Sequence, residues 1–289
     1  MTDSTYNESF RRNIGLVSPG EQELLREATV GIAGLGGVGG LHMATLARMG
    51  VGGFHVADFD TFELANINRQ YGATTKTLGR EKAEVMKEIV LDINPSARIN
   101  IFKEGVTTGN VEEFLTGLDV VIDGIDFFEI DARRLLFNTA RDMGIYALTC
   151  GPIGFGATLQ VFSPTSMSFD EYFAVNNAMT YAQKIVAFAV GLTPKPLHLK
   201  YMDLNRVSLK ERTGPAIASA CSLCATLAAT ETLKIITKKG EVKAVPNYFQ
   251  FDPFRQIYKK GYLPMGGRNP IQKLKRWYLS KKFAGLLEE

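Results

Sequence analysis

The residues of this 289-residue chain that are equipped for chemistry fall in three short stretches. The first is "GIAGLGGVGG" from Gly31, in which Gly34, Gly36 and Gly39 spell GxGxxG. Glycines at that spacing let the backbone turn tightly and let phosphate oxygens approach N–H groups at a helix N-terminus. The second is "DFDTFELANINRQYG", where Asp58 stands 24 positions after Gly34 and Asn66, Arg69 and Gln70 follow; "GREKAE" then adds Lys82. The third is "IDGID", with Asp123 and Asp126. An acid placed like Asp58 accepts hydrogen bonds from ribose hydroxyls. The glycines and Asp58 alone therefore describe a dinucleotide site, and an NAD-dependent oxidoreductase is their simplest reading. The wider set shifts the balance. Two cations, an amide pair and a further acid exceed what a dinucleotide needs. A triphosphate does need them: cations neutralise its charge, and a carboxylate holds Mg2+ on its oxygens.

These groups act together only if the fold delivers them to one place. "TVGIAG" (29–34) is a short β-branched run and reads as a buried strand, followed by helical spacing from Val38 to Met49 that stops at Gly50. "GGFHVADFD" (52–60) reads as a second strand, 79–95 as a helix stopped by Asn94-Pro95, 97–102 as a third strand and 118–126 as a fourth. A helix over 133–144 and a fifth strand over 145–151 continue the alternation. Strands alternating with helices predict an α/β fold, Rossmann-like and doubly wound, with a mostly parallel sheet. In such sheets ligands bind at the carboxyl ends of the strands, which is where Asp58, Asp123 and Asp126 fall. Farther on, 156–164 reads as a strand of an antiparallel extension and 165–213 as an irregular crossover insertion without clear period. A long small-residue helix follows over 215–240, and 245–254 reads as a final strand. The expected organisation is an N-terminal helical segment (1–28), one nucleotide-binding domain (29–254) and a basic tail (255–289).

Taken jointly, "GLGGVGG", "DFDTFELANINRQ", "GREKA" and the acid after the fourth strand resemble the E1-like superfamily of ThiF, MoeB and HesA adenylating proteins. The resemblance is close over the first half of the chain and weaker over the 215–240 helix. It implies ATP- and Mg2+-dependent adenylation of a carboxylate, usually the C-terminus of a ubiquitin-like protein or a peptide. By matching motif positions, Asp58 would hold the ribose, while Asn66, Arg69, Gln70 and Lys82 would contact phosphates or the leaving group. Asp126 would hold Mg2+, with Asp123 behind it. The chain departs from the family in having Phe127 where Asn often follows that acid. An N-terminal arginine typical of the family fits Arg12, with Arg11 the alternative. In relatives it often reaches the partner subunit's site, so a homodimer is implied. A non-catalytic binding module of the same fold is the rival from another class.

The bland readings concern what is left. Cys221 and Cys224 form CxxC, but a closed zinc site needs four ligands, and neither Cys150 nor His42, His55 or His198 supplies the spacing. Cysteine in a small-residue helix acts as an apolar filler, and His42 and His55 are expected to be packed. No cysteine occurs in 165–213, which argues against an enzyme that passes the acyl group to its own thiol. Ile271, Leu274, Trp277 and Tyr278 share one helical face among bases in the tail. Docking on the chain's own domain or on a dimer partner is the expected role of that face, and a membrane surface the lesser one. The net charge of +3 is too near balance to argue for nucleic acid. The first residues lack the apolar core of a secretion signal, and three cysteines do not suggest a disulfide framework, so a cytoplasmic protein is expected.

Overall fold

A computed structural model of the chain describes residues 2–208 and 210–282. Its centre is one eight-stranded sheet in the order β3-β2-β1-β4-β5-β6-β7-β8. The strands are β1 (Thr29–Ala33), β2 (Gly53–Ala57), β3 (Arg98–Phe102), β4 (Val120–Asp123), β5 (Tyr146–Ile153), β6 (Gly156–Phe162), β7 (Asn247–Asp252) and β8 (Ile257–Tyr262). Strands β1 to β5 pair in parallel, and β6 to β8 extend the sheet antiparallel. The expected α/β class with an antiparallel extension is the observed one.

The helices are α1 (Asp3–Phe10), α2 (Pro19–Glu27), α3 (Gly39–Arg48), α4 (Lys82–Ile93), α5 (Val111–Leu115), α6 (Ile130–Asp142), α7 (Phe169–Phe173), α8 (Tyr181–Leu192), α9 (Ala218–Thr237) and α10 (Pro270–Lys282). They cover both faces of the sheet because its central strands are apolar on both. Along β4, Val120 and Ile122 join one core with Ile32, Phe54, Met43, Leu46, Met86 and Ala228. Val121, between them, joins the opposite core with Phe114, Phe137, Phe169, Phe173 and Phe188. That alternation is the strand period of two applied to a sheet buried on both sides. Small residues Ala220, Cys221, Cys224, Ala225 and Ala228 form the buried stripe of α9, which packs on β5, β6 and α3. Helix α9 is long and apolar enough by length and composition to cross a membrane, yet it is used here as a layer of the core.

Register brings the functional stretches level. Ala33 is paired with Ala57 on one side and Asp123 on the other. Gly34, Asp58 and Gly124 therefore leave the sheet together, at the point where the order of parallel strands reverses between β1 and β4. Two backbone bonds seal that junction: Gly34 N donates to Ala57 O and Gly124 N to Ala33 O, both at 2.7 Å.

Three local expectations are corrected and one helix is added. The segment 165–213 is not irregular throughout: it contains α7 and α8. Helix α7 is too short to show a period, and α8 buries Ile185, Val186, Ala187, Phe188, Val190 and Leu192, so nearly every side of it is apolar. The strand near 245–254 is followed by another: β8, inside the expected tail, pairs with β7 over its whole length. Helix α5 was not read from the sequence; its five residues carry Phe114 and Leu115 into the core. Finally, α10 does not dock its apolar face on its own domain: Ile271, Leu274, Trp277 and Tyr278 are all exposed and Gln272 is buried. Residues 283–289 of the expected tail lie outside the described residues.

Candidate active site

The glycine loop is built by close backbone contact. Gly34 has φ +91°, and a methyl group there would lie 2.3 Å from the Gly124 carbonyl oxygen. One at Gly39 would lie 1.8 Å from the carbonyl oxygen of Gly34. These two glycines let the turn close on β4 and on itself. Gly36 differs: the nearest atom to an added methyl is Gln70 Nε2, at 3.8 Å. Its surface faces space. At Gly37 the neighbours would be Cys221 Sγ at 3.4 Å and Arg69 Nε at 3.7 Å. Helix α3 starts immediately afterwards, and its cap residue Val38 offers no side chain to the first-turn N–H groups. An unfilled helix start behind an open glycine is a ready anion site.

Asp58 is tied to this loop. Its Oδ2 accepts from Leu35 N at 2.6 Å and its Oδ1 from Asp60 N at 2.9 Å. Burial pushes its carboxyl above the ordinary carboxylate range, while the two N–H donors and nearby Lys82 pull the other way. Lys82 Nζ donates to Asp60 Oδ2 at 2.8 Å with its side chain only 7% exposed. The lysine is thus held near the loop by an acid two residues from Asp58.

The segment between β2 and α4 brings the amides and the arginine. Asn66 is buried and accepts from Glu63 N through Oδ1 at 3.0 Å, fixing a single 3-10 turn. Arg69 Nη1 donates to Ala65 O at 3.1 Å and Asn68 Oδ1 at 2.9 Å, beside Gly37. Gln70 is buried with its Oε1 lacking any partner. Its Nε2 is the amide atom nearest Gly36, so the side chain lies beside the open glycine with its acceptor unsatisfied within the fold.

The two acids after β4 have different surroundings. Asp123 is buried: Oδ2 accepts from Arg133 Nε at 2.7 Å and Thr149 Oγ1 at 2.8 Å, and Oδ1 from Ile125 N at 3.0 Å. It is fully engaged inside the protein. Asp126 is exposed and uses Oδ1 to accept from Phe128 N at 2.9 Å. Among the described residues no group of three or more His, Cys, Asp or Glu side chains is arranged around a common point for a metal. Mg2+ nevertheless fits Asp126, because that ion is often held by one carboxylate, waters and substrate phosphates.

The sequence-derived set is therefore mostly gathered. Gly34, Gly36, Gly39, Asp58, Arg69, Gln70 and Lys82 surround the loop, and Asp126 follows the strand whose end closes on Gly34. Asn66 sits inside the turn that presents Arg69. Arg12 is elsewhere. It lies exposed in a turn (Arg11–Asn13) whose Asn13 Nδ2 donates to Met49 O at 3.2 Å, at the far end of α3. Ten residues of helix put it about 15 Å from its own glycine loop. The cleft of about 500 Å3 lined by Phe10, Arg48, Asp92 and Ile93 is also at that far end. Asp60, Gly124, Arg133 and Thr149 were missed by sequence reasoning. The second acid of "DFD" and the glycine within "IDGID" signalled the first two; nothing in "RRLLF" singles out Arg133.

The three cysteines of the chain are all buried. Burial pushes the Cys221 thiol up to about 11 against the pull of Arg69. Burial also raises Cys224, reinforced by its hydrogen bond with Cys150. None is positioned as an accessible thiolate nucleophile.

The family model described as the ThiF family matches residues 10–269. The tRNA threonylcarbamoyladenosine dehydratase of Haemophilus influenzae is 35% identical over 150 residues, 52% of this chain and 57% of that protein. The sulfur carrier protein adenylyltransferase of Thermus thermophilus is 34% identical over 144 residues, 50% of each. The matched stretch thus spans about half the length of these curated relatives. Among solved structures, the tRNA N6-threonylcarbamoyladenosine dehydratase TcdA of E. coli superposes with a TM-score of 0.62 at 23% identity, over 82% of this chain and 97% of that one. E. coli MccB with ATP gives 0.66 at 19% identity, over 92% and 74%. These likenesses share the mixed sheet described above. With the glycine loop, Asp58 and the acid after β4 all lying inside the matched residues, this chain belongs to the ThiF family.

Proposed function

We propose that the protein is an ATP- and Mg2+-dependent adenylyltransferase. A carboxylate oxygen of the substrate attacks the α-phosphorus of ATP. The bond from that phosphorus to the bridging oxygen of the β-phosphate breaks, and pyrophosphate leaves with the electron pair. An acyl-adenylate remains. The observation that carries this reading is the gathering of two cations at the glycine loop: Arg69 beside Gly37, and Lys82 held by Asp60 close to Asp58. A dinucleotide does not need that density of positive charge, whereas departing pyrophosphate does.

In this reading Asp58 accepts from the ribose while holding Leu35. The unfilled start of α3 receives phosphate oxygens. Lys82 and Arg69 stabilise charge developing on the leaving group, and Asp126 holds Mg2+. Because ATP supplies the reactive bond, the protein's work is positioning and charge neutralisation. Arg12 is too far from its own loop to assist there, so it serves a partner protomer's site in a homodimer. The absence of cysteine from 165–213 and the burial of all three thiols support delivery of the adenylate without a thioester on this chain.

The substrate is a ubiquitin-like protein or a peptide with a free C-terminus. Among relatives, one is named for adenylating a sulfur carrier protein, and MccB was crystallised with MccA. A cytoplasmic setting fits such partners. The test is ATP–pyrophosphate exchange with candidate carboxyl partners, run beside ATP and NAD titrations. Exchange that depends on partner and Mg2+, and is lost in Lys82→Ala and Asp126→Ala while both stay folded, is the expected result. Tight NAD binding without ATP binding, or full exchange in both variants, would overturn it.

A further inference from the structure

The amphipathic helix α10 is docked by its polar side. Gln272 is buried, Lys275 Nζ donates to Pro194 O at 2.7 Å, and Arg276 donates to Gly267 O at 2.8 Å and Ala174 O at 3.3 Å. Those residues anchor the helix on the turn before it and on the α7 and α8 region. The other side carries Ile271, Leu274, Trp277 and Tyr278, each more than half exposed. A helix that spends its polar groups on the protein and offers its apolar ones to solvent has the reverse of the usual globular arrangement.

Charge says what suits that face. Residues 255–282 hold nine basic side chains and no acidic one, in a chain whose net charge is only +3, so the rest of the molecule is net acidic. Within α10 the outward face is bordered by Lys273 and Lys281, and Lys281 Nζ lies over the Trp277 ring at 4.5 Å. Aliphatic residues at the centre, with Trp and Tyr beside them and long bases able to reach outward, match the depth profile of a bilayer interface. Two copies of this helix set face to face would bring their basic borders together with no acid between them. Protein interface cores are depleted of lysine, which counts against a protein groove.

We infer that α10 is an interfacial helix that seats the protein reversibly on an anionic lipid surface. Apolar insertion and attraction of the basic stretch to acidic headgroups act together. The adenylation site lies at the carboxyl ends of β1, β2 and β4, and the docking does not depend on its chemistry.

Trp277 is the only tryptophan of the chain, so its emission reports on this face directly. The experiment mixes the full chain with phosphatidylcholine vesicles, with and without phosphatidylglycerol, and follows Trp emission and co-sedimentation. A blue shift and sedimentation only with the anionic vesicles, reversed by high salt, are expected. Leu274→Glu, at an exposed position that the fold does not need, should weaken binding by about tenfold or more. No shift with anionic vesicles would overturn the inference. So would equal binding to neutral vesicles, or undiminished binding by Leu274→Glu. An emission shift that tracks protein concentration without lipid would assign the face to a second copy and overturn it equally.

Discussion

Arg133 is the most informative residue to remove, because it supports the site without reaching it. Its Nε holds Asp123 at 2.7 Å with both side chains only 3% exposed. Its Nη2 ties down the turn beyond β4 through Ile125 O at 2.5 Å and Asp126 O at 3.1 Å. The guanidinium also lies over the Phe188 ring at 4.6 Å. Arg133→Met keeps much of the volume and removes the charge. Asp123 would then keep only Thr149 Oγ1 and Ile125 N, leaving a buried carboxylate without its countercharge. Breaking such a pair costs about 3–5 kcal/mol. For a chain of this size that is a fall in melting temperature of about 6–10 °C. Asp123→Asn combined with Arg133→Met should recover part of the loss. Urea unfolding of wild type, the two single variants and the double variant measures this. An Arg133→Met variant within about 1 kcal/mol of wild type would refute the account of the turn.

Two further predictions separate packing from chemistry. Gly39→Ala drives a methyl group to 1.8 Å from the Gly34 carbonyl oxygen and should lower melting temperature and abolish ATP binding together, whereas Gly36→Ala, with nothing nearer than 3.8 Å, should fold normally and bind ATP more weakly. Thermal melts beside ATP titration distinguish the two. His42 is fully buried with neither ring nitrogen partnered, and burial holds it down at about 3. The unfolded chain takes up that proton near pH 6.5 and the folded one does not, so stability present above that pH should fall by about 2 kcal/mol on going to about pH 5. His42→Leu should lose correspondingly less in urea titrations at the two pH values.

How much of this was legible in the sequence follows from how local each signal is. The parallel strands announce themselves as short apolar runs, and the glycine loop lies between the first of them and a helix, so the β1–β5 framework and the loop's position were readable. Helices α7 and α8 were missed as periodic segments, although each begins with a capping box, Ser168 with Glu171 and Thr180 with Gln183, that is a local signal in its own right. The edge strand β8, "IYKKGY", leaves Tyr258, Lys259, Lys260 and Tyr262 exposed, and a strand with so little buried surface carries little pattern. The outward face of α10 could not be read at all: amphipathicity gives two faces, and which one meets the protein depends on partners such as Pro194 O and Ala174 O, far away in the chain.

The acids show why a motif locates a site before it assigns roles. Each of two strand ends carries a pair, Asp58 with Asp60 and Asp123 with Asp126, and sequence spacing treats the members of a pair alike. The fold does not. Asp58 grips the glycine loop through Leu35 N, leaving Asp60 to hold Lys82. Asp123 is absorbed by Arg133 and Thr149, leaving Asp126 to face solvent. In both pairs the inner carboxylate holds the turn and the outer one is more exposed, Asp60 pairing with a lysine and Asp126 meeting solvent. The inner members are costly to bury unless their partners are in place. Stability and nucleotide binding should therefore be most strongly coupled at Asp58, the inner acid that also touches the loop.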